Sequence, residues 1–507
     1  MSEMTRRDFL KSMGALASVT LLPGVASWLD GNFKQGVNTS KPNIIILLLD
    51  SLSARNLSLY GYRRLTSSNL ERFAGRATVY HSHTSGGNYT IPGVASLLTG
   101  TYPWTNRAIN HSGVLRRDMV SNNLFNTLGA DYHRIVFAQS VWANFIVSQF
   151  VNDVDTYVPA GTFSELDYLL FEHFPNDANM ALRSLDDFAF DITQRPISPV
   201  MGTIQRALYA RDSAQLPSYG YPNGIPNNVN YPLKFRLDDV FDGVTSLVTT
   251  LPRPFISYIH LFPPHAPYRP ERTFFNKFND GWLPVEKPVH RFSDKSPTLK
   301  TNNARRVYDE YVASVDMELG RLLDSIDKAG LSDNSYIIVT SDHGEMFERG
   351  EIAHSTPLLY DPVIHIPLLI SAPGQTTRQD IFAPTNAVDL LPTLAQVAGK
   401  PVPAWGEGKL LPGFGGAEDF ERSVYVVEAK SNPAFAPLQQ ATIAMRKGSQ
   451  KMIYYTGYEG EDSFEFYDLE NDLEELNDLY PENPSTAKVM KEELLDTLSR
   501  VNKPFTR

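Results

Sequence analysis

Hydrophobic residues along this chain fall into two periods. Unbroken apolar or β-branched runs occur at Ile44-Ile45-Ile46-Leu47-Leu48-Leu49, Arg134-Ile135-Val136-Phe137, Phe255 to Leu261, Tyr336 to Thr340 and Ile366 to Ser371. Runs of this length without polar alternation predict strands covered on both faces, as in a mostly parallel sheet flanked by helices. Between Ala304 and Ala329, Val307, Tyr311, Val315, Leu319, Leu322 and Ile326 recur at spacings of three and four. That period predicts one amphipathic helix, with Gly330 placed to end it. Strand, helix and strand alternate, so the expected class is α/β. Beyond Pro401 the pattern changes: Ser423 to Val427, Ala441 to Met445 and Lys451 to Tyr455 predict short antiparallel strands, the last two joined by a turn at Lys447-Gly448-Ser449-Gln450. An amphipathic helix from about Ser485 to Val501 closes the chain. Residues from about 151 to 231 are rich in Asp, Asn, Pro and Tyr, which predicts an insertion, either a surface elaboration or a cap over a pocket.

Composition narrows the chemistry. The 507 residues are 42% hydrophobic, enough for one large core and a smaller appendage. The formal net charge of -11 argues against a nucleic-acid binder but not against an anionic substrate, because a metal can supply positive charge locally. With no cysteine in the chain, thiolate metal sites, disulfides and a cysteine nucleophile are excluded. The first residues carry their own signal. Thr5-Arg6-Arg7-Asp8-Phe9-Leu10-Lys11 precedes a mild apolar stretch from Met13 to Val25 and the small residues Val25-Ala26-Ser27. This is the pattern of a twin-arginine export signal over residues 1–27, and it predicts a periplasmic or extracellular protein that has met the export machinery. The stretch is too short and interrupted for a stable membrane anchor, and no later segment offers about twenty uninterrupted apolar residues.

Candidate chemistry sits at the ends of the predicted strands. Asp342 and His343 follow Tyr336-Ile337-Ile338-Val339-Thr340-Ser341, and Asp50 follows the six apolar residues from Ile44. A carboxylate leaving a central strand is costly to bury bare and calls for a partner, a metal or the N terminus of a helix near Ser53. Thr90 precedes Pro92 and an apolar run ending at Gly100, the pattern of a short helix whose N terminus favours an anion. Coordination to a divalent cation would activate its hydroxyl. Asp50, Thr90, Asp342 and His343 are therefore the expected ligands of manganese, zinc, calcium or magnesium. His265, in Pro263-Pro264-His265-Ala266-Pro267, and His354, in Ala353-His354-Ser355, are candidates to stabilise an oxyanion or protonate a leaving group. Ser51 is a weaker acceptor beside Asp50, His365 is expected to pack, and Asp468, Glu470 and Asp472 lack the glycine of a calcium loop.

These blocks, together with Pro42-Asn43, Tyr60-Gly61-Tyr62, Leu97 to Pro103, Val388 to Thr393 and Phe466 to Asp472, resemble the sulfatases of the alkaline phosphatase superfamily. The resemblance implies a doubly wound α/β catalytic domain over 41–400, a small carboxy-terminal α+β subdomain over 401–507, and an ester hydrolase or transferase site. It also brings departures. Sulfatases oxidise a Cys or Ser to formylglycine within Cys/Ser-x-Pro-Ser-Arg, whereas this chain has Thr90-Ile91-Pro92-Gly93-Val94, so no formylglycine is expected. Ser51 replaces the second of the paired aspartates, and Ala138-Gln139-Ser140 stands where a Lys-x-His is usual. The remaining set looks like the threonine-dependent branch that includes phosphoethanolamine and phosphoglycerol transferases. Three functions follow as expectations: a phosphoester hydrolase or phosphotransferase using Thr90, a sulfuric ester hydrolase without formylglycine, and a non-catalytic binder on a degenerate site.

Overall fold

The computed structural model describes residues 41–166, 220–228, 233–482 and 484–506. The export signal, and most of the insertion expected over 151–231, lie outside the described residues.

The centre is an eight-stranded sheet. Its strands are β1 (Asn43–Leu49), β2 (Thr78–Tyr80), β3 (His133–Ala138), β4 (Thr156–Val158), β5 (Phe255–Leu261), β6 (Ser335–Thr340), β7 (Leu368–Ser371) and β8 (Gln379–Ile381). Their spatial order is β8-β2-β7-β6-β1-β5-β3-β4. β6, β1, β5, β3 and β4 run parallel, and β7 is antiparallel to both its neighbours. The strand expected from Ile366 begins two residues later at Leu368, past Pro367, which has no N–H for the ladder. β4 also corrects an expectation: it lies inside the segment read as an insertion, yet pairs with β3 as the edge of the main sheet.

β1 explains why the sheet is covered twice. Ile45, Leu47 and Leu49 face one core cluster, packed on helices α3 (Leu237–Thr250) and α4 (Thr298–Lys328), with Val244, Leu247, Tyr311, Val315 and Leu319. Ile44, Ile46 and Leu48 face the other, against α1 (Thr90–Thr99) and α5 (Leu390–Val397), with Val94, Leu98, Leu391 and Leu394. All six are at most 1 % exposed, and full burial of each such side chain contributes roughly 1.5–3 kcal/mol. Between them, α2 (Val141–Val147) leaves the end of β3. α4 starts six residues before the apolar period does, with Pro297 at its N-cap fixing the entry. A second, antiparallel sheet of β9 (Ser423–Glu428), β10 (Ala441–Lys447), β11 (Gln450–Thr456) and β12 (Ser463–Asp468) carries α6 (Ser485–Asn502) on one face through Met490 and Leu494. No helix among the described residues is long and apolar enough to cross a membrane.

Candidate metal centre and nucleophile

Parallel pairing puts the carboxyl ends of β1, β5 and β6 side by side, with Leu48 opposite Thr340 and Leu49 opposite Leu261. Asp50, directly after β1, and Asp342-His343, just past β6, therefore meet in one place, where open α/β sheets build sites. The turn after β1 is pinned from below. Ser51 holds a left-handed φ of 65°, the Tyr308 hydroxyl donates to its carbonyl at 2.7 Å, and Ser341 Oγ accepts the Leu52 N–H at 2.9 Å.

Asp50, Asp342 and His343 form the one cluster of three metal-capable side chains among the described residues, with their ligand atoms within 4.8 Å of one another and all three buried. His343 Nδ1–H donates to the Gly344 carbonyl at 2.9 Å, which leaves the Nε2 lone pair facing the carboxylates. Nε2 lies 3.5 Å from Asp50 Oδ1 and 3.5 Å from Asp342 Oδ2. The Thr90 hydroxyl donates to the same nitrogen at 3.4 Å. Thr90 is 2 % exposed and opens α1, whose N terminus has no side-chain cap. The alternative role of Asp50 as a helix cap is set aside: the turn at Ala54–Asn56 has no side-chain cap, and the Asp50 carboxylate accepts from Ser51 Oγ and His260 Nε2 instead.

The two carboxylates are not equivalent. Burial pushes the Asp50 carboxyl upward, but the surrounding His265, His260 and His343 outweigh it and hold the group well below the usual carboxylate range. Burial, then the Asp50 charge beside it, drives Asp342 upward. Burial also lowers His343, which is neutral. Asp342 Oδ2 has no hydrogen-bond partner among the described residues. Two buried carboxylates facing an imidazole lone pair, with Asp342 Oδ2 unpartnered, are a set of electron-pair donors that a divalent cation satisfies. The residues fit such an ion.

His265 and His354, the candidate acid–base groups, lie beside this cluster. His354 packs against His343 with 4.1 Å between ring centroids and the planes tilted by 39°, and His265 meets His354 edge-on at 5.1 Å. Both tether Nδ1–H, His265 to the Ala266 carbonyl at 2.7 Å and His354 to Glu345 Oε1 at 2.9 Å. Each is left with Nε2 for chemistry. Burial, with His265 nearby, lowers His354 to about 3. Asn88 Nδ2 holds the His354 loop by donating to the carbonyls of His354 and Thr356 at 2.8 and 2.6 Å.

Two residues escaped the sequence reading. His260 sits inside the apolar strand β5, donating through Nε2 to Asp50 Oδ2 at 3.1 Å while the Tyr258 hydroxyl donates to its Nδ1 at 3.0 Å. The available signal was a polar ring two residues from Tyr258, on the same strand face, in an otherwise hydrophobic run. Glu345, three residues after Asp342, is fully buried and pushed up to about 7 by that burial. The residues that depart from the sulfatase signature are occupied structurally. Val94 and Ala138 pack in the core, and the Ser140 carbonyl accepts from Asn144 Nδ2 at 2.9 Å. His365 packs edge-on against Tyr60, and Asp472 accepts from the Leu476 and Asn477 N–H groups. A cavity of about 840 Å³ beside Arg446 and Val489 shares no residue with this centre, and its chemistry is not theirs.

A mostly parallel sheet with an Asp-Asp-His cluster and a helix-borne hydroxyl at its carboxyl edge is an arrangement that could hold a cation beside a hydroxyl. Comparison with known proteins narrows it. The Sulfatase family model matches residues 42–147 and 203–400, so the chain belongs to the sulfatase family. The model for the C-terminal part of N-sulphoglucosamine sulphohydrolase matches residues 354–503. Choline-sulfatase of Rhizobium meliloti is 23% identical over 479 residues, covering 88% of this chain and 84% of its own. N-acetylgalactosamine-6-O-sulfatase of Bacteroides thetaiotaomicron is 22% identical, covering 95% and 98%. Among solved structures, the phosphonate monoester hydrolase of Agrobacterium radiobacter superposes with a TM-score of 0.65 at 16% identity, over 92% of this chain and 96% of that one. SpPMH, a phosphonate monoester hydrolase from Silicibacter pomeroyi, gives 0.62 at 18%, over 92% and 96%.

Proposed function

We propose that this sulfatase-family hydrolase is a divalent-metal-dependent phosphoester hydrolase in which Thr90 is the nucleophile. The observation that carries the reading is the shared contact of Thr90 Oγ1, Asp50 Oδ1 and Asp342 Oδ2 with a single nitrogen, His343 Nε2. Asp50, Asp342 and His343 would hold the cation, which would acidify the Thr90 hydroxyl and screen the charge of the ester.

The protein's own groups account for the rest. Thr90 is fixed at the uncapped start of α1, where the helix dipole favours the incoming anion. Its oxygen forms a bond to phosphorus as the bond to the leaving oxygen breaks, and the proton given up by the Thr90 hydroxyl is taken at the free Nε2 of His265 or His354 and passed to the leaving oxygen. Water then attacks the phosphothreonine and restores the hydroxyl. Positioning and preorganised charge do most of this work. A divalent cation balanced by two carboxylates, beside neutral His343 and His354, carries no excess positive charge. Val94, Ala138 and Ser140 add none where the signature sulfatase cations would stand. Such a site suits a singly charged ester, a phosphodiester or phosphonate monoester, better than a dianionic phosphate monoester, and the phosphonate monoester hydrolases of like fold support that choice. Export through the twin-arginine route, resting on Arg6-Arg7 and the apolar stretch behind them, belongs to the same proposal.

Sulfate-ester hydrolysis is the second reading, favoured by the named relatives. Mass spectrometry after incubation of metal-loaded protein with phosphodiester and sulfate-ester panels separates the two. A phosphoryl mass on the Thr90 peptide, lost in Thr90→Ala together with turnover, is the expected result. Sulfate release with unmodified Thr90 would establish the second reading instead.

A further inference from the structure

The residues around the nucleophile also say what leaves. Going outward from Thr90, His343 and His354 are followed by the exposed Ser355, and Ser355 Oγ accepts a hydrogen bond from Lys430 Nζ at 2.7 Å. Lys430 comes from the other sheet, two residues past the end of β9. Its ammonium lies near enough to act on both His354 and His111. His111 belongs to an aromatic row that starts at the nucleophile's own neighbour. The Tyr89 ring is 5.7 Å from His111, and His111 is 5.0 Å from Trp142. Trp142 opens α2 just beyond β3, whose last residue, Ala138, stands opposite His260. The row therefore lies along the same sheet edge as the centre. Tyr89 is 4 % exposed, and its hydroxyl has no partner among the described residues. The rings are tilted to one another by 51° and 41°, with Tyr89 buried, His111 exposed and Trp142 half-buried. They form a wall beside the Lys430 ammonium, behind which lies the buried Glu428. A cation at the mouth of such a wall attracts a second negative group on a bound ester.

We infer that Lys430, held by Ser355 on the loop beside His354, selects leaving groups carrying a second anion, such as a carboxylate. The inference rests on the phosphoester reading of the same site and deepens it. Lys430 is a specificity residue: it meets the substrate away from the bond that breaks, so it acts on discrimination between leaving groups.

The test uses two chromogenic diesters, methyl 4-nitrophenyl phosphate and its analogue with a carboxylate on the ring. The quantity read is the ratio of kcat/KM for the carboxylated over the plain diester, which cancels general damage to the centre. The ratio is expected to fall about tenfold in Lys430→Gln, as for loss of one charge-assisted hydrogen bond, and to recover in Lys430→Arg. Raised ionic strength should lower the ratio in the unaltered protein and not in Lys430→Gln. An unchanged ratio in Lys430→Gln, with the unaltered protein turning over both diesters, overturns this inference and leaves the phosphoester reading standing. Turnover of neither diester by the metal-loaded protein overturns both.

Discussion

Gly93→Ala is a one-carbon probe of how α1, which carries the proposed nucleophile Thr90, seats on the Asp50-Asp342-His343 cluster. Gly93 lies one turn into α1, and a Cβ there would stand 2.3 Å from the Asp342 carbonyl oxygen and 3.2 Å from Asp342 Cβ. A relaxed carbon–oxygen contact is about 3.4 Å, so α1 or the Asp342-His343 segment must move by about 1 Å. Both carry site groups, and the neighbouring atom is backbone, which cannot swing aside. Misplacement of about 1 Å costs on the order of 10²-fold in rate. Overpacking costs about 1–3 kcal/mol, partly offset by the roughly 1 kcal/mol that Ala gains over Gly inside a helix. The variant should therefore stay folded, melt only slightly lower, and lose about two orders of magnitude in kcat/KM. The assay pairs ester turnover at a temperature well below the melting transition with calorimetric Tm. Full activity in a folded Gly93→Ala protein would refute the close seating of α1 on Asp342 as the feature that aims Thr90.

Other outcomes follow from the charges. Asp342→Asn relieves the buried like-charge contact with Asp50, so metal-free Tm should rise, while the Tm increase on adding manganese, zinc, magnesium or calcium should vanish; a variant that keeps the metal-dependent increase would remove Asp342 from the ligand set. Arg422 binds Asp389 through two contacts of 2.6 and 2.8 Å, with Asp389 fully buried, so Arg422→Met should cost about 3–5 kcal/mol in urea unfolding, and a loss under about 1 kcal/mol would contradict the pairing. His365 is buried, both ring nitrogens lack partners among the described residues, and burial lowers it to about 3 from 6.5. The fold holds it neutral, so its contribution is present above pH 6.5 and is lost as pH falls toward about 3. His365→Leu should match the unaltered protein at pH 7 and melt higher than it at pH 5; superimposable pH–Tm curves would refute this.

Several local features were legible because each is written in contiguous residues. The apolar run before Asp50 and the one before Asp342-His343 announce buried strands, and the hydroxyl ahead of Pro92 announces a helix start, since burial on two faces or at a helix N terminus demands those patterns. The resemblance to sulfatases then ordered these pieces. What no local pattern held was which strand lies beside which. Thr156–Val158 looked like part of an insertion because a three-residue edge strand has too few positions to show a period. His260 looked like one polar residue in a hydrophobic strand until the register of β5 on β1 set it against Asp50. Glu345 became a buried partner of His354 only through the fold of the loop after β6.

By itself, then, the sequence determined the α/β alternation, the ligand types at the strand ends and a threonine where the family carries formylglycine. The tertiary structure decided that Asp50, Thr90 and Asp342 converge on one imidazole nitrogen, and that Lys430 of the second sheet reaches the loop beside His354. The physical reason is that burial acts on each residue's own face and leaves a local period. Strand register and sheet-to-sheet packing are fixed by the sum of contacts between segments distant in the chain, and leave none.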